Sequence, residues 1–296
     1  MNSANPDKKI RYAIITPVRD EARHIDETIQ SVTRQTIKPA EWVIVDDGST
    51  DGTGEILARR AAEWPWIRPL HRPDRGFRDA DTGAIGAFLE GYRSLQTADW
   101  EFLANLDGDL TLQPGYFEKC FEEFRQDPRL GIGGGALYHL NGSGVTELEP
   151  CPQFHVRGAT KIYRRACWEA IGGLVAVPGW DTVDEVKAHM AGWRVRSFPR
   201  VTALHQRPTG ASSNAWGDSV KNGRSDYFLG YHPVFMFLKC LRRAFRKPFL
   251  VNGAGHLYGF MAGYLDRRPQ AEDAALIRYV RRQQVRRLLL QDSVWK

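Results

Sequence analysis

One stretch limits the folds open to this chain more than any other: Glu101-Phe102-Leu103-Ala104-Asn105-Leu106-Asp107-Gly108-Asp109-Leu110. An apolar run of strand length leads directly into two carboxylates separated by one glycine. Side chains alternate along a strand, so Asp107 and Asp109 point the same way and both reach one ligand. In open α/β sheets ligands bind outside the carboxyl ends of the strands, which is where these acids emerge. Two hard oxygen donors suit Mg²⁺ or Mn²⁺, with phosphate oxygens and water filling the remaining positions. Read in isolation, the same residues also describe a solvated Asp-Gly-Asp turn.

The flanking sequence favours the sheet. Tyr12-Ala13-Ile14-Ile15-Thr16 and Trp42-Val43-Ile44-Val45 are buried-strand runs. Ile25, Ile29 and Val32 recur at helical spacing behind Asp26 and Glu27, acids that the helix dipole favours in a first turn. Asp46-Asp47-Gly48-Ser49-Thr50-Asp51-Gly52-Thr53 has the chemistry of a turn and helix start, with a helix expected over 54–62 and another over 82–95. Strand and helix alternating in this way predict a mainly parallel, doubly wound α/β sheet with Asp47, Asp107 and Asp109 facing one crevice.

Thr16-Pro17-Val18-Arg19-Asp20-Glu21, Val45-Asp46-Asp47-Gly48-Ser49-Thr50-Asp51 and Leu106-Asp107-Gly108-Asp109 stand in the order and spacing of family-2 glycosyltransferases, which the chain resembles over roughly residues 10–210. The resemblance implies a GT-A fold, a nucleotide-diphosphate sugar donor (UDP, GDP or dTDP) and inverting transfer with Mg²⁺ or Mn²⁺. It places Thr16, Pro17, Arg19 and Glu21 around the donor, Asp47 on the base, Asp107 near the ribose or metal, and Asp109 on the metal. Arg19 stands where many members carry a stacking Tyr; a guanidinium also stacks on a base. The Arg-rich segment 71–81 is expected to be a mobile loop, either one in which Arg75 or Arg78 clamps the diphosphate or a solvated charged loop.

Further on, residues 116–125 read as a helix. Residues 130–140 read as a strand whose glycines, 133 to 135, call for a bulge or close backbone approach. Arg157 and Lys161 are candidates for phosphate contacts or for surface salt bridges. Gly179-Trp180-Asp181 is similar to the Gly-Glu-Asp that opens the family's catalytic helix. That similarity makes Asp181 the expected general base, with Asp184 and Glu185 as fallbacks and helix capping as another use of Asp181. Trp180 replaces the usual Glu. His205 follows a strand-like run where many GT-A enzymes complete the metal site; a lone His is otherwise structural.

These features divide the chain into a transferase domain, 8–210, and a helical basic and aromatic extension, 211–296. The net charge is +6, yet residues 241–296 hold 12 Lys/Arg against 4 Asp/Glu. Residues 221–227 are expected to form an acceptor-side loop. Residues 231–241, 249–265 and 277–290 are apolar or amphipathic but too short or interrupted to span a bilayer, which takes about 20 apolar residues. Their basic flanks suit helices lying on an anionic membrane surface, or packed on the sheet with a solvated basic face. The polar start, without a signal-like apolar core, and four scattered cysteines lacking a CxxC pair point to a reduced cytoplasmic setting, peripheral to the membrane. Gln283-Gln284-Val285-Arg286-Arg287 is faintly similar to the Gln-x-x-Arg-Trp of processive members but lacks the Trp, so single additions to a sugar or lipid-linked acceptor are expected, in surface-polysaccharide or glycolipid synthesis. A nucleic-acid partner is not expected, because the main body is slightly acidic. The competing enzyme reading is a haloacid-dehalogenase-type phosphatase, since Asp107-Gly108-Asp109-Leu110-Thr111 fits Asp-x-Asp-x-Thr with Asp107 as nucleophile.

Overall fold

Three apolar runs pair in parallel to start the sheet: β1 (Tyr12–Val18), β2 (Glu41–Asp46) and β3 (Ile67–His71), with α1 (Ile25–Thr33) and α2 (Thr53–Glu63) as crossovers. α3 (Gly83–Arg93) then returns the chain to β4 (Phe102–Asn105), which lies parallel to β1 on its other side. The computed structural model describes residues 10–77, 82–141, 144–207, 214–245 and 249–295. β5 (Leu110–Leu112), α4 (Tyr116–Gln126), β6 (Leu130–Leu140), β7 (Thr146–Leu148), β8 (Ile162–Arg164), α5 (Arg165–Ile171), α6 (Trp180–Met190) and β9 (Arg194–His205) complete the α/β part. The nine-stranded sheet runs β3-β2-β1-β4-β8-β6-β9-β5, with β7 paired to β6. It is parallel from β3 to β4, and β6 lies parallel to β9, while β8, β5 and β7 join antiparallel. The strand-like run expected before His205 is one long strand, β9.

Alternation along β1 sends Tyr12, Ile14 and Val18 into one layer with α1 and α4, and Ala13 and Ile15 into the other with α3, α5 and α6. Each fully buried aliphatic side chain contributes about 1.5–3 kcal/mol. The expected break in β6 is present as a register shift between Gly135 and Ala136.

The C-terminal part is helical: α7 (Ala215–Phe228), α8 (Pro233–Ala244), α9 (Val251–Leu265) and α10 (Ala274–Leu288). Residues 221–227, expected as a loop, lie inside α7. Asn214 caps that helix by accepting from the Gly217 amide, and Gly223 lets α9 approach so closely that an added Cβ would fall 2.1 Å from the His256 carbonyl oxygen. Val183 and Val186 of α6 share an apolar cluster with Tyr227, Met236, Phe260, Leu276 and Val280. One side of the helical region is thus packed on α6, while Val234, Phe237, Leu241 and Tyr258 stay about half exposed. Among the described residues no helix is long and apolar enough to cross a membrane, and all four cysteines are free. Gln284 accepts from the His232 amide with its side-chain oxygen, tying α10 to the start of α8.

Candidate active site

β2, β1 and β4 end side by side, since Val18 pairs with Asp46 and Ile15 with Asn105. This register sets Arg19, Asp47 and Asp107 along one rim. Asp47 is nearly buried, and its two carboxylate oxygens receive Arg72 and Arg75, each at 2.5 Å. Arg19 donates to the Asp47 carbonyl (2.8 Å) and to Asp74 (2.7 Å). Of the segment expected to be a mobile loop, 78–81 lie outside the described residues, and residues 72–75 are held over the strand end by these ion pairs. Gly48 permits this at φ +76°, because a Cβ there would lie 2.4 Å from Asp74 Cα. Arg78 lies outside the described residues. Pro17 is half-buried in β1. Thr16 requires a correction: its fully buried hydroxyl accepts from Trp42 Nε1 (2.8 Å), so it serves the core and does not face the rim.

The acidic pair is held from behind by Thr28 of α1, whose hydroxyl donates to the Gly108 carbonyl (2.8 Å) and accepts from the Leu110 amide (3.1 Å). Leu110 pairs with His205 in the antiparallel β5–β9 ladder, and this register brings the imidazole beside Asp109. His205 Nε2 stands 3.4 Å from Asp109 Oδ1, and Nδ1 lies 2.8 Å from Glu149. Arg207, two residues further on, joins Asp109 (2.9 Å) to Glu21 (2.5 Å). Burial opposes ionisation of Asp109, but hydrogen bonds from His205 and Arg207 outweigh it and hold the carboxyl below the ordinary range. Burial likewise disfavours His205 as a cation, yet Asp109 and Glu149 raise its pKa to about 9. Asp107 is the opposite case: desolvation in the cleft, then the neighbouring Asp109 carboxylate, push it up to about 7.

The third group stands at the start of α6. Gly179, at φ +72°, occupies the cap position, where a glycine offers no capping side chain, and Asp181 lies in the first turn. The Trp180 ring lies over Gly158. Gly158 in turn accepts from Asn105 Nδ2 (2.6 Å), and the Asp107 amide donates to Ala159 (3.0 Å). The turn at 158–160 therefore links the acidic strand end to the helix that carries Asp181. Beneath it, fully buried Lys161 donates to the Asp181 carbonyl (2.6 Å) and pairs with Asp184 and Glu185 (3.1 Å each). Tyr163 also donates to Asp184 (2.6 Å). Lys161 is thus neither a phosphate contact nor a surface ion pair, and the two fallback bases are committed to it. Arg157 pairs with Glu149 at 3.4 Å.

Sequence reasoning did not single out Arg72, Glu149 or Arg207. For Arg207 a signal existed: His205 and Arg207 are two apart at a strand end, the spacing that puts side chains on one side. Among the described residues no group of three or more His, Cys, Asp or Glu side chains is spaced to hold a metal by itself. Asp109 and His205 nonetheless make a compatible pair, because Glu149 fixes Nδ1 and leaves Nε2 facing the carboxylate, the second-shell arrangement of metal-bound imidazoles. Thr111, the last residue of the Asp-x-Asp-x-Thr pattern, donates to Glu27 (2.9 Å).

A model of the family described as glycosyl transferase family 2 matches residues 13–172. Chondroitin synthase of Pasteurella multocida is 30% identical over 118 residues, 40% of this chain and 11% of that protein. Glycosyltransferase AglD of Haloferax volcanii is 27% identical over a stretch covering 64% of this chain and 32% of its own length. The chain thus spans only a small part of these curated relatives. Among solved structures, a mannosyltransferase from Pyrobaculum calidifontis in complex with GDP-Man and Mn²⁺ superposes with a TM-score of 0.55 at 18% identity, over 93% of this chain and 81% of that one. S. aureus TarS 1-349 with UDP-GlcNAc gives 0.52 at 17%, over 87% and 73%. At these identities the likeness establishes the shared GT-A fold. The family match also removes the phosphatase reading, which nothing in the comparisons supports.

Proposed function

The chain belongs to glycosyl transferase family 2 and is a glycosyltransferase of GT-A fold, and from that premise we propose that it moves a sugar, with inversion, from a nucleoside-diphosphate donor to an acceptor hydroxyl. The observation that carries this reading is the β5–β9 register, which sets His205 against Asp109 with Glu149 behind the ring. In it, Asp109 and His205 hold Mg²⁺ or Mn²⁺ together with donor oxygens, as expected where the protein alone offers too few ligands. When bound, the ion offsets the charge that develops on the departing diphosphate.

Asp47 and Arg19 take the base end of the donor, Asp107 stands by the ribose or metal, Glu21 is held to the site by Arg207, and Arg75 swings from Asp47 toward the phosphates. Asp181, the first-turn carboxylate with no side-chain partner among the described residues, removes the acceptor proton. Positioned bases contribute about 10²–10⁴-fold in rate. A UDP- or GDP-sugar donor is supported by the complexes of the neighbouring folds, and a dTDP-sugar stays open. Residues 8–210 act as the catalytic unit, and 211–296 bring it to an anionic cytoplasmic membrane face, where a glycolipid or surface-polysaccharide precursor is extended one sugar at a time. The exposed apolar residues of α8 and α9, next to a basic sequence, support that placement.

Thermal-shift titration with UDP-, GDP- and dTDP-sugars plus Mn²⁺ identifies the donor. Asp181→Asn is expected to bind it like the wild type while losing transfer at least 100-fold, within the range for a lost base. Asp109→Asn is expected to lose Mn²⁺-dependent donor binding. Exchange of these two phenotypes reverses the roles.

A further inference from the structure

A cavity of about 680 Å³ extends from Asp181 and Glu185 on α6 to α7, α8 and α10. Its lining contains three carboxylates, and two are already answered. Glu185 is paired with Lys161 and His155. Asp226 receives Lys239 (2.5 Å) and His256 Nε2 (2.7 Å). Arg243 donates to the other nitrogen of His256 at 2.9 Å, so that ring is neutral, accepting at Nδ1 and donating at Nε2. This leaves Asp181 as the uncommitted acid of the lining. Arg242, Arg243 and Arg287 line the same cavity, and none of them has a carboxylate partner among the described residues. Phe235, Leu238 and Leu288 share the same wall, and exposed Val234, Phe237 and Leu241 continue the apolar surface along α8.

Three guanidinium groups without a carboxylate partner thus line one cavity with an uncommitted carboxylate, Arg243 being tied to His256, and the planar fork of Arg matches phosphate oxygens. We propose that this cavity is the acceptor subsite, and that its acceptor carries a phosphate held by Arg242, Arg243 and Arg287 while an apolar chain leaves over Leu238 and α8. The hydroxyl to be glycosylated then lies toward Asp181. The assignment rests on Asp181 as the base. It goes further in stating the acceptor's chemistry, a phosphorylated amphiphile, and the groups that recognise it.

Calorimetric titration at low salt with EDTA, which keeps divalent metal from the donor side, tests this with three probes: farnesyl phosphate, farnesol and glucose 1-phosphate. Farnesyl phosphate is expected to bind, and the double variant Arg242→Gln, Arg287→Gln to weaken it about tenfold or more, the loss of charge-assisted contacts. Both arginines are exposed, and the double variant should melt with the wild type. Binding of farnesyl phosphate but not glucose 1-phosphate upholds the proposal with a lipid source for the phosphate. Binding of both upholds the phosphate site with the headgroup sufficient. Farnesol binding as tightly as farnesyl phosphate, no phosphate probe binding, or an unchanged affinity in the double variant overturns it. Donor binding by the wild type with Mn²⁺ is scored separately; its loss would count against the donor reading and leave the phosphate result standing.

Discussion

Replacing Lys161 by Met removes one cation from a buried site where it serves three acceptors. Nζ lies 2.6 Å from the Asp181 carbonyl and 3.1 Å from both Asp184 and Glu185, with the side chain fully buried. Removing one partner of a buried ion pair costs about 3–5 kcal/mol, because the remaining charge is left without compensation. At about 2.1 cal/mol/K per residue, a 296-residue chain unfolds with an entropy near 0.6 kcal/mol/K, so the melting temperature should fall by about 5–8 °C. Burial already raises the Asp184 pKa, and Lys161 opposes that rise. Without the lysine the folded pKa climbs further above its unfolded value. A group raised in this way contributes stability at low pH and loses it as pH rises through the folded value. The deficit should therefore be larger at pH 8 than at pH 6. Differential scanning calorimetry at both pH values measures it, and donor titration and transfer rate measured alongside should show binding kept but turnover reduced, because the first turn of α6 loses its anchor. A variant that melts within 1 °C of the wild type at pH 8 would refute the reasoning.

Gly48→Ala is expected to loosen the 72–75 segment, since its φ of +76° and the Asp74 backbone both exclude a Cβ; a cost of about 1–3 kcal/mol is typical of such strain, checked by denaturant unfolding together with donor affinity. Gly223→Ala drives α7 from α9, where the added methyl meets the His256 carbonyl; a stability loss of about 1–3 kcal/mol is expected, together with faster hydrogen exchange confined to α7–α10.

The strand ends were legible in the sequence because strand length, turn residues and carboxylate spacing are local. Asp47, Asp107 and Asp109 stand at strand ends for that reason. Thr16 was legible too, had alternation been pressed: it shares a side with Ile14 and Val18 and so belongs to the core. Lys161 was not. Nothing in the sequence around it shows that Asp184 and Glu185, more than twenty residues away, close over it. Glu149 meets His205 across 56 residues only because it follows β7, which pairs with β6, and β6 in turn lies beside β9. The helix over 221–227 was hidden for a related reason. Its Gly223 and Asp226, which read as loop residues, are there for packing against α9 and for pairing with Lys239 and His256.

The carboxylates of the crevice already have cations from the chain itself: Arg72 and Arg75 on Asp47, and His205 and Arg207 on Asp109. On the proposed donor and metal roles, loading is therefore an exchange of positive groups, not the filling of a vacant acidic pocket. Arg207 decides how costly that exchange is, because one guanidinium serves both Asp109 and Glu21. Arg207→Gln keeps a donor to one acid but removes the charge. On the proposed metal role of Asp109, Mn²⁺ alone should then bind more tightly. Arg207 Nη2 already stands 2.9 Å from the Asp109 carboxylate, so removing its charge takes away a repulsive neighbour of any cation on that carboxylate, and a gain of about tenfold is expected. Electron paramagnetic resonance of free Mn²⁺ measures the affinity without donor, acceptor or turnover. Weaker Mn²⁺ binding in Arg207→Gln than in the wild type would mean that the guanidinium organises the site for the ion, and the competition argued here would be wrong.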